Sequence, residues 1–176
     1  EQTANKDETT LLPYNVAEPT SILKAIAQAN GGVNELKALK NVEYEYYYLS
    51  SDSSKDVSLE RYIFEDEISW AKYSVHQKNV AIDLKGEVIQ YFDGENIYVV
   101  DSTGLIKDEQ TLFLSKFLRQ ANYMWFAMMF KFLDPGVIAT YEGQKEHKGK
   151  TYDLIKISYD AKVTAKANND TYILYI

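Results

Sequence analysis

The chain contains no cysteine, which removes disulfides, thiolate metal sites and cysteine nucleophiles together. A surplus of positive charge is also missing. Nineteen Lys and Arg residues are scattered among 26 Asp and Glu, for a net charge of −7. Phosphate binding needs clustered cations, so nucleic acid is not expected as a partner, and neither is electrostatic docking to anionic lipid. No HExxH, Walker-type loop, EF-hand loop, GxGxxG or GxSxG elbow occurs, so no short motif marks an enzyme. Histidine is limited to His76 and His147, far apart in sequence and without an evident general-acid or general-base partner. No cofactor is expected, and neither is a metal: Glu65-Asp66-Glu67 and Asp93 with Glu95 fit solvated turns better than a converging set of oxygen ligands. No run of roughly 20 apolar residues is available to span a membrane, and no internal repeat of about 20–50 residues is evident.

What is abundant is tyrosine, with 15 residues against seven Phe and two Trp in a chain of 176. Tyrosine suits a pleated, half-buried surface because its ring can be covered while its hydroxyl stays wet. A β-rich protein follows. Residues 1–19 are polar and carry Pro13 and Pro19, and they read as a tether. The opening EQTANKDETT resembles a processed start, and the strand-like TYILYI leaves room for residues beyond Ile176. Residues 20–176 read as one domain.

Thr20 or Ser21 is the expected N-cap of a first helix carrying Ile22, Leu23, Ile26 and Ala29, stopped by Asn30-Gly31-Gly32. A short helical turn is expected over Val33–Ala38. The period then changes to two: Val42, Tyr44, Tyr46 and Tyr48 share one face. Which face points inward is left open. Strands are expected at Val57–Phe64, Ile68–Val75, Glu87–Phe92 and Ile97–Val100, with Asp93-Gly94 as a hairpin turn. Residues 111–133 lack glycine and proline and are expected to form one helix, stopped by Asp134-Pro135-Gly136. Strands resume at Val137–Glu142, Lys150–Tyr159 and Tyr172–Ile176. The plan is α+β, an antiparallel sheet with helices gathered on one face.

Within the long helix, Ala121–Phe130 holds one strongly polar side chain, Asn122, and is flanked by Lys116, Arg119 and Lys131. A stretch apolar all round is expected to be covered on more than one side. It is either a buried core helix or a helix closing over an apolar cavity.

The order of a helix ending in NGG, then LKNVEYEY, YFDGENIYVVDSTG, FKFLDPGV and EGQKEHKGKTYDLIKISY resembles a group of exported Bacteroidetes lipoproteins with a domain of unknown function. That group is similar to the LolA-like periplasmic lipoprotein carriers. The resemblance implies an antiparallel β half-barrel with helices covering its concave face. It also implies a periplasmic or outer-membrane-anchored location in a Gram-negative bacterium, with membrane contact through an N-terminal lipid anchor outside this chain. It supplies no catalytic residues. The expected function is non-enzymatic binding of a lipid or other apolar ligand. Its expected lining is Tyr44, Tyr46 and Tyr48 from the sheet with Trp125, Phe126, Met128 and Met129 from the helix. The alternatives are a structural or interaction domain with an envelope protein partner and, third, a hydrolase without a short motif.

Overall fold

Pro19 opens the first helix and a glycine pair closes it. In the computed structural model, which describes residues 13–80, 83–164 and 170–176, helix α1 spans Pro19–Ala29. The expected caps Thr20 and Ser21 lie inside it, because proline needs no N–H acceptor at the first helical position and its fixed φ suits that site. Ser21 Oγ instead donates to Asn15 O at 3.1 Å and ties down the approach to the helix. At the other end Gly31 adopts φ +100° and Gly32 N donates to Ala27 O at 2.9 Å. A short helix α2, Val33–Ala38, follows. Of the polar opening segment, residues 1–12 lie outside the described residues.

Asn34–Ala127 forms one compact unit. Its strands are β1 (Asn41–Leu49), β2 (Lys55–Ile63), β3 (Ile68–His76), β4 (Val88–Phe92), β5 (Ile97–Asp101) and the two-residue β6 (Gly104–Leu105), which the sequence pattern did not suggest. Each pairs antiparallel with the next in sequence, and the sheet order is β1-β2-β3-β4-β5-β6. Register fixes which side chains share a face. Tyr44 stands opposite Glu60, Tyr46 opposite Ser58 and Tyr48 opposite Asp56, and Glu60 in turn stands opposite Ala71. The Asp93-Gly94 turn forms as expected: Asp93 Oδ1 accepts from the backbone N–H groups of Glu95 and Asn96. Gly94 sits at φ +101°, where a Cβ would come 3.0 Å from Asp66 O.

Helix α3, Glu109–Phe126, packs on β3, β4 and β5. Asp108 caps it, its Oδ2 accepting from Thr111 N at 2.8 Å. The uninterrupted helix expected over 111–133 is divided. Ala127 stands at the break, and α4 (Met128–Lys131) belongs to the other unit. No glycine or proline marks the division; it falls where the chain leaves the first unit. Beneath α3, Ala71, Tyr73, Val80, Leu84, Val88 and Val99 form one apolar cluster, and Tyr62, Phe64, Tyr123 and Ala127 form another.

The second unit contains α1, α4, β7 (Val137–His147), β8 (Lys150–Tyr159), α5 (Ala161–Thr164) and β9 (Tyr172–Tyr175). Its sheet is antiparallel in the order β7-β8-β9. The β7–β8 hairpin turns at Lys148 and Gly149, both at positive φ. α1 packs against β7 and α4. Ile22, Leu23, Phe132, Ile155 and Ile157 are buried there, each stabilising by about 1.5–3 kcal/mol.

The chain is thus α+β; among the described residues all strand pairing is antiparallel and neither sheet closes into a barrel. Among the described residues, no helix is long and apolar enough to cross a membrane.

Candidate functional site

The side of α3 that meets the sheet carries polar residues among its apolar ones. Ser115, Arg119 and Asn122 recur at helical spacing and are buried. Sequence placed Arg119 among the charges flanking an apolar stretch; the structure buries it completely. Its Nη1 donates to Glu60 Oε2 at 2.5 Å and its Nη2 to Glu60 Oε1 at 3.2 Å, and Nη2 also donates to the Tyr73 hydroxyl. Glu60 further accepts from Ser58 Oγ at 2.7 Å and from Tyr62 OH at 3.1 Å, while Tyr44 OH donates to Tyr62 OH at 3.3 Å. Period two on β2 aligns Ser58, Glu60 and Tyr62 on one face, just past a register shift against β3 between Val57 and Ser58. The bidentate geometry and the extra donors satisfy the Glu60 carboxylate, whereas Arg119 Nε is buried with no hydrogen-bond partner among the described residues. Burial works against the Arg119 charge, but Tyr73 and Glu60 outweigh it and hold the guanidinium above its ordinary pKa. Burial pushes the Tyr62 and Tyr73 hydroxyls well above theirs.

Beside this polar cluster the aromatic side chains line a space that is partly open to solvent. A cavity of about 200 Å³ is lined by Tyr44 and Tyr46 of β1 and by Asn122, Trp125 and Phe126 of α3. An adjoining lobe of about 120 Å³ shares Tyr46, Asn122 and Trp125 and adds Tyr48, Asp56, Tyr73 and Phe117. Phe126 is a central packing element. Its ring centroid lies 5.4 Å from Tyr44, 5.2 Å from Tyr62 and 6.2 Å from Phe64. Burial raises the Tyr44 and Tyr46 hydroxyl pKa values. Asp56, at the start of β2, is buried and accepts three backbone N–H groups, from Gln77, Lys78 and Asn79, at 2.7–2.9 Å.

Tyr44, Tyr46, Trp125 and Phe126 therefore come together in the larger lobe, with Tyr48 in the smaller. Met128 and Met129 lie on α4 in the other unit and line neither lobe. The Tyr44–Tyr46–Tyr48 side of β1 is the side that shares its face with Glu60 and α3, which resolves the strand parity left open above. The expectation that Ala121–Phe130 is covered on more than one side holds only in part. Within that stretch Asn122, Tyr123 and Ala127 are buried, but Trp125 is 53% exposed and Phe126 41%; earlier in the helix Phe113 and Phe117 are exposed as well. The helix turns Ser115, Arg119 and Asn122 to the sheet together with Leu112, Leu118 and Tyr123, and it leaves several large apolar side chains outward.

Sequence reading missed Glu60, Arg119, Asn122 and Asp56. The signal was present in the 115–119–122 spacing and in the Asp56–Ser58–Glu60–Tyr62 alternation, two polar faces able to satisfy each other. Of the histidines, His76 Nε2 lies 2.8 Å from Gly86 O, while the His147 ring lies 6.2 Å from that of Tyr175 in the other unit. Among the described residues, no group of three or more His, Cys, Asp or Glu side chains is placed to hold a metal ion. No family model, curated protein or solved structure matches the chain.

Proposed function

We propose that the protein is a non-enzymatic binding protein that takes an apolar or lipid-derived group into the aromatic cavity between β1 and α3. The cavity lined by Tyr44, Tyr46, Trp125 and Phe126 carries this reading. Its walls are chiefly aromatic, and the single amide of Asn122 gives a ligand one point of orientation. An LolA-like half-barrel in an exported, lipid-anchored protein is the setting in which we place it, on the resemblance of the quoted segments.

Size sets what the pocket can hold. At about 200 Å³ it exceeds the cavity of about 150 Å³ that accommodates benzene, yet it falls below the roughly 300–1,000 Å³ of sites for drug-sized ligands. It accepts a compact group or the end of a chain. Burying four or five methylenes gains about 3–4 kcal/mol, which corresponds to roughly millimolar binding. Tighter binding of a long acyl chain requires further apolar surface, and the outward side chains Phe113, Leu114 and Phe117 of α3 offer it.

Those same side chains favour a second reading, a surface for an envelope protein partner. Displacement of a fluorescent acyl probe separates the two. On the ligand reading, Tyr46→Ala and Trp125→Ala weaken probe binding and Phe113→Ala, outside the cavity lining, has a smaller effect. If the Tyr46 and Trp125 variants fold and bind the probe like the parent protein, the cavity is not the site.

A further inference from the structure

We propose that the smaller lobe of the cavity is a site for a methylated ammonium group, so that the ligand is an organic cation or carries one. The inference rests on the reading that this cavity is a ligand site, and it names the chemistry of one end of that ligand.

Aromatic side chains make half of the wall. Tyr46, Tyr48, Tyr73, Phe117 and Trp125 all line the lobe, and among the described residues no lysine or arginine does. Rings attract cations through the negative charge of their faces, most strongly where water is excluded. One ring here already does so: Arg119 Cζ lies 5.4 Å from the centroid of Tyr73. Charge balance points the same way. The ionised side chains buried at the lobe and immediately behind it are Asp56, Glu60 and Arg119. Arg119 and Glu60 neutralise each other, and Asp56 leaves one negative charge in excess.

Hydrogen-bond capacity decides which cation. A primary ammonium brings three donors and needs acceptors for them. Asp56 already accepts three backbone N–H groups, and the Tyr73 hydroxyl is engaged by Arg119. The acceptors that remain are the uncharged amides of Asn79 and Asn122 and the hydroxyls of Tyr46 and Tyr48. Beyond Asp56 the lobe therefore offers rings and a negative potential but, among the described residues, no second carboxylate. A trimethylammonium group donates no hydrogen bond and asks only for those two things. Its few heavy atoms are of a size for a space of about 120 Å³, slightly smaller than a cavity of roughly 150 Å³ that binds benzene. A free quaternary amine and a phosphocholine head group share this chemistry.

The test is calorimetric titration of the whole chain with three compounds: choline, its neutral carbon isostere 3,3-dimethyl-1-butanol, and monomeric dihexanoylphosphatidylcholine. Choline is expected to bind at least tenfold more tightly than the isostere. Dihexanoylphosphatidylcholine binding more tightly than choline assigns the source to lipid; the reverse assigns it to the free amine. Trp125→Leu keeps an apolar side chain at a half-exposed position while removing the ring. It should weaken choline binding about five- to thirtyfold and change isostere binding less than threefold. Equal binding of choline and the isostere overturns the inference while leaving an apolar ligand site intact. Absence of binding by all three, together with no displacement of the acyl probe, overturns both readings.

Discussion

Removing the Arg119 side chain isolates a charge in the interior of the first unit. Glu60 is fully buried, and in Arg119→Ala it retains only the hydroxyls of Ser58 and Tyr62 as the donors described above. Breaking one partner of a buried ion pair costs about 3–5 kcal/mol, a large share of the roughly 5–15 kcal/mol that stabilises an ordinary domain. Glu60→Leu alone strands the guanidinium in the same way. The double variant Glu60→Leu/Arg119→Met leaves no unpaired charge, but it removes partners from the Ser58, Tyr62 and Tyr73 hydroxyls. It is therefore expected to recover much of the loss without reaching the parent value. Urea unfolding followed by tryptophan fluorescence reads the correct unit, because Trp70 and Trp125 both lie within Asn34–Ala127. The double-mutant cycle should give a coupling of about 2 kcal/mol or more. Additive losses, with coupling below about 0.5 kcal/mol, would refute the description of a dry, bidentate pair.

Alkaline titration probes the same interior. Tyr62 and Tyr73 have folded-state pKa values raised above the ordinary value near 10, by burial first and by Glu60 in addition. Above that pH the unfolded chain has lost protons that the native protein retains. Their contribution is thus complete below pH 10 and falls by about 1.4 kcal/mol per pH unit for each residue as pH rises further. Absorbance at the tyrosinate band should show these two ionising only with unfolding, and early, reversible ionisation of all tyrosines would contradict it. Asp108→Ala removes the cap of α3 and is expected to cost about 1 kcal/mol in urea unfolding, whereas Asp108→Asn retains most of it. Gly94→Ala must place a Cβ at φ +101° and 3.0 Å from Asp66 O, so a loss of at least about 1 kcal/mol is expected. An unchanged urea midpoint would show that the turn relaxes.

Local signals carried much of the fold. The alternation of Tyr44, Tyr46 and Tyr48, the Asp93-Gly94 turn and the Asn30-Gly31-Gly32 stop each depend on neighbours a few residues away, and each predicted its element. The break at Ala127 has no such marker, since it reflects where the chain passes from one unit to the other. Strand β2 shows why the inward face was not readable. Val57, Leu59 and Ile63 are apolar on one side, yet the side that is more deeply buried carries Asp56, Ser58, Glu60 and Tyr62. Only the arrival of Arg119, 59 residues later, makes that polar face an inner one. The aromatic half of the candidate site was visible because tyrosine and tryptophan stand out by composition. Its polar half was not, because each member looks like an ordinary surface residue until its partner is known.

The central claim, a ligand held between β1 and α3, is tested most directly by mass spectrometry of an organic extract. The extract would come from natively purified protein, beside an unrelated protein prepared identically. A lipid or other apolar compound in stoichiometric amount, present only with this protein and lost with Tyr46→Ala/Trp125→Ala, is the expected result. An extract as clean as the control, from protein that also fails to bind the acyl probe, would contradict the claim and leave the outward face of α3 as the surface to pursue.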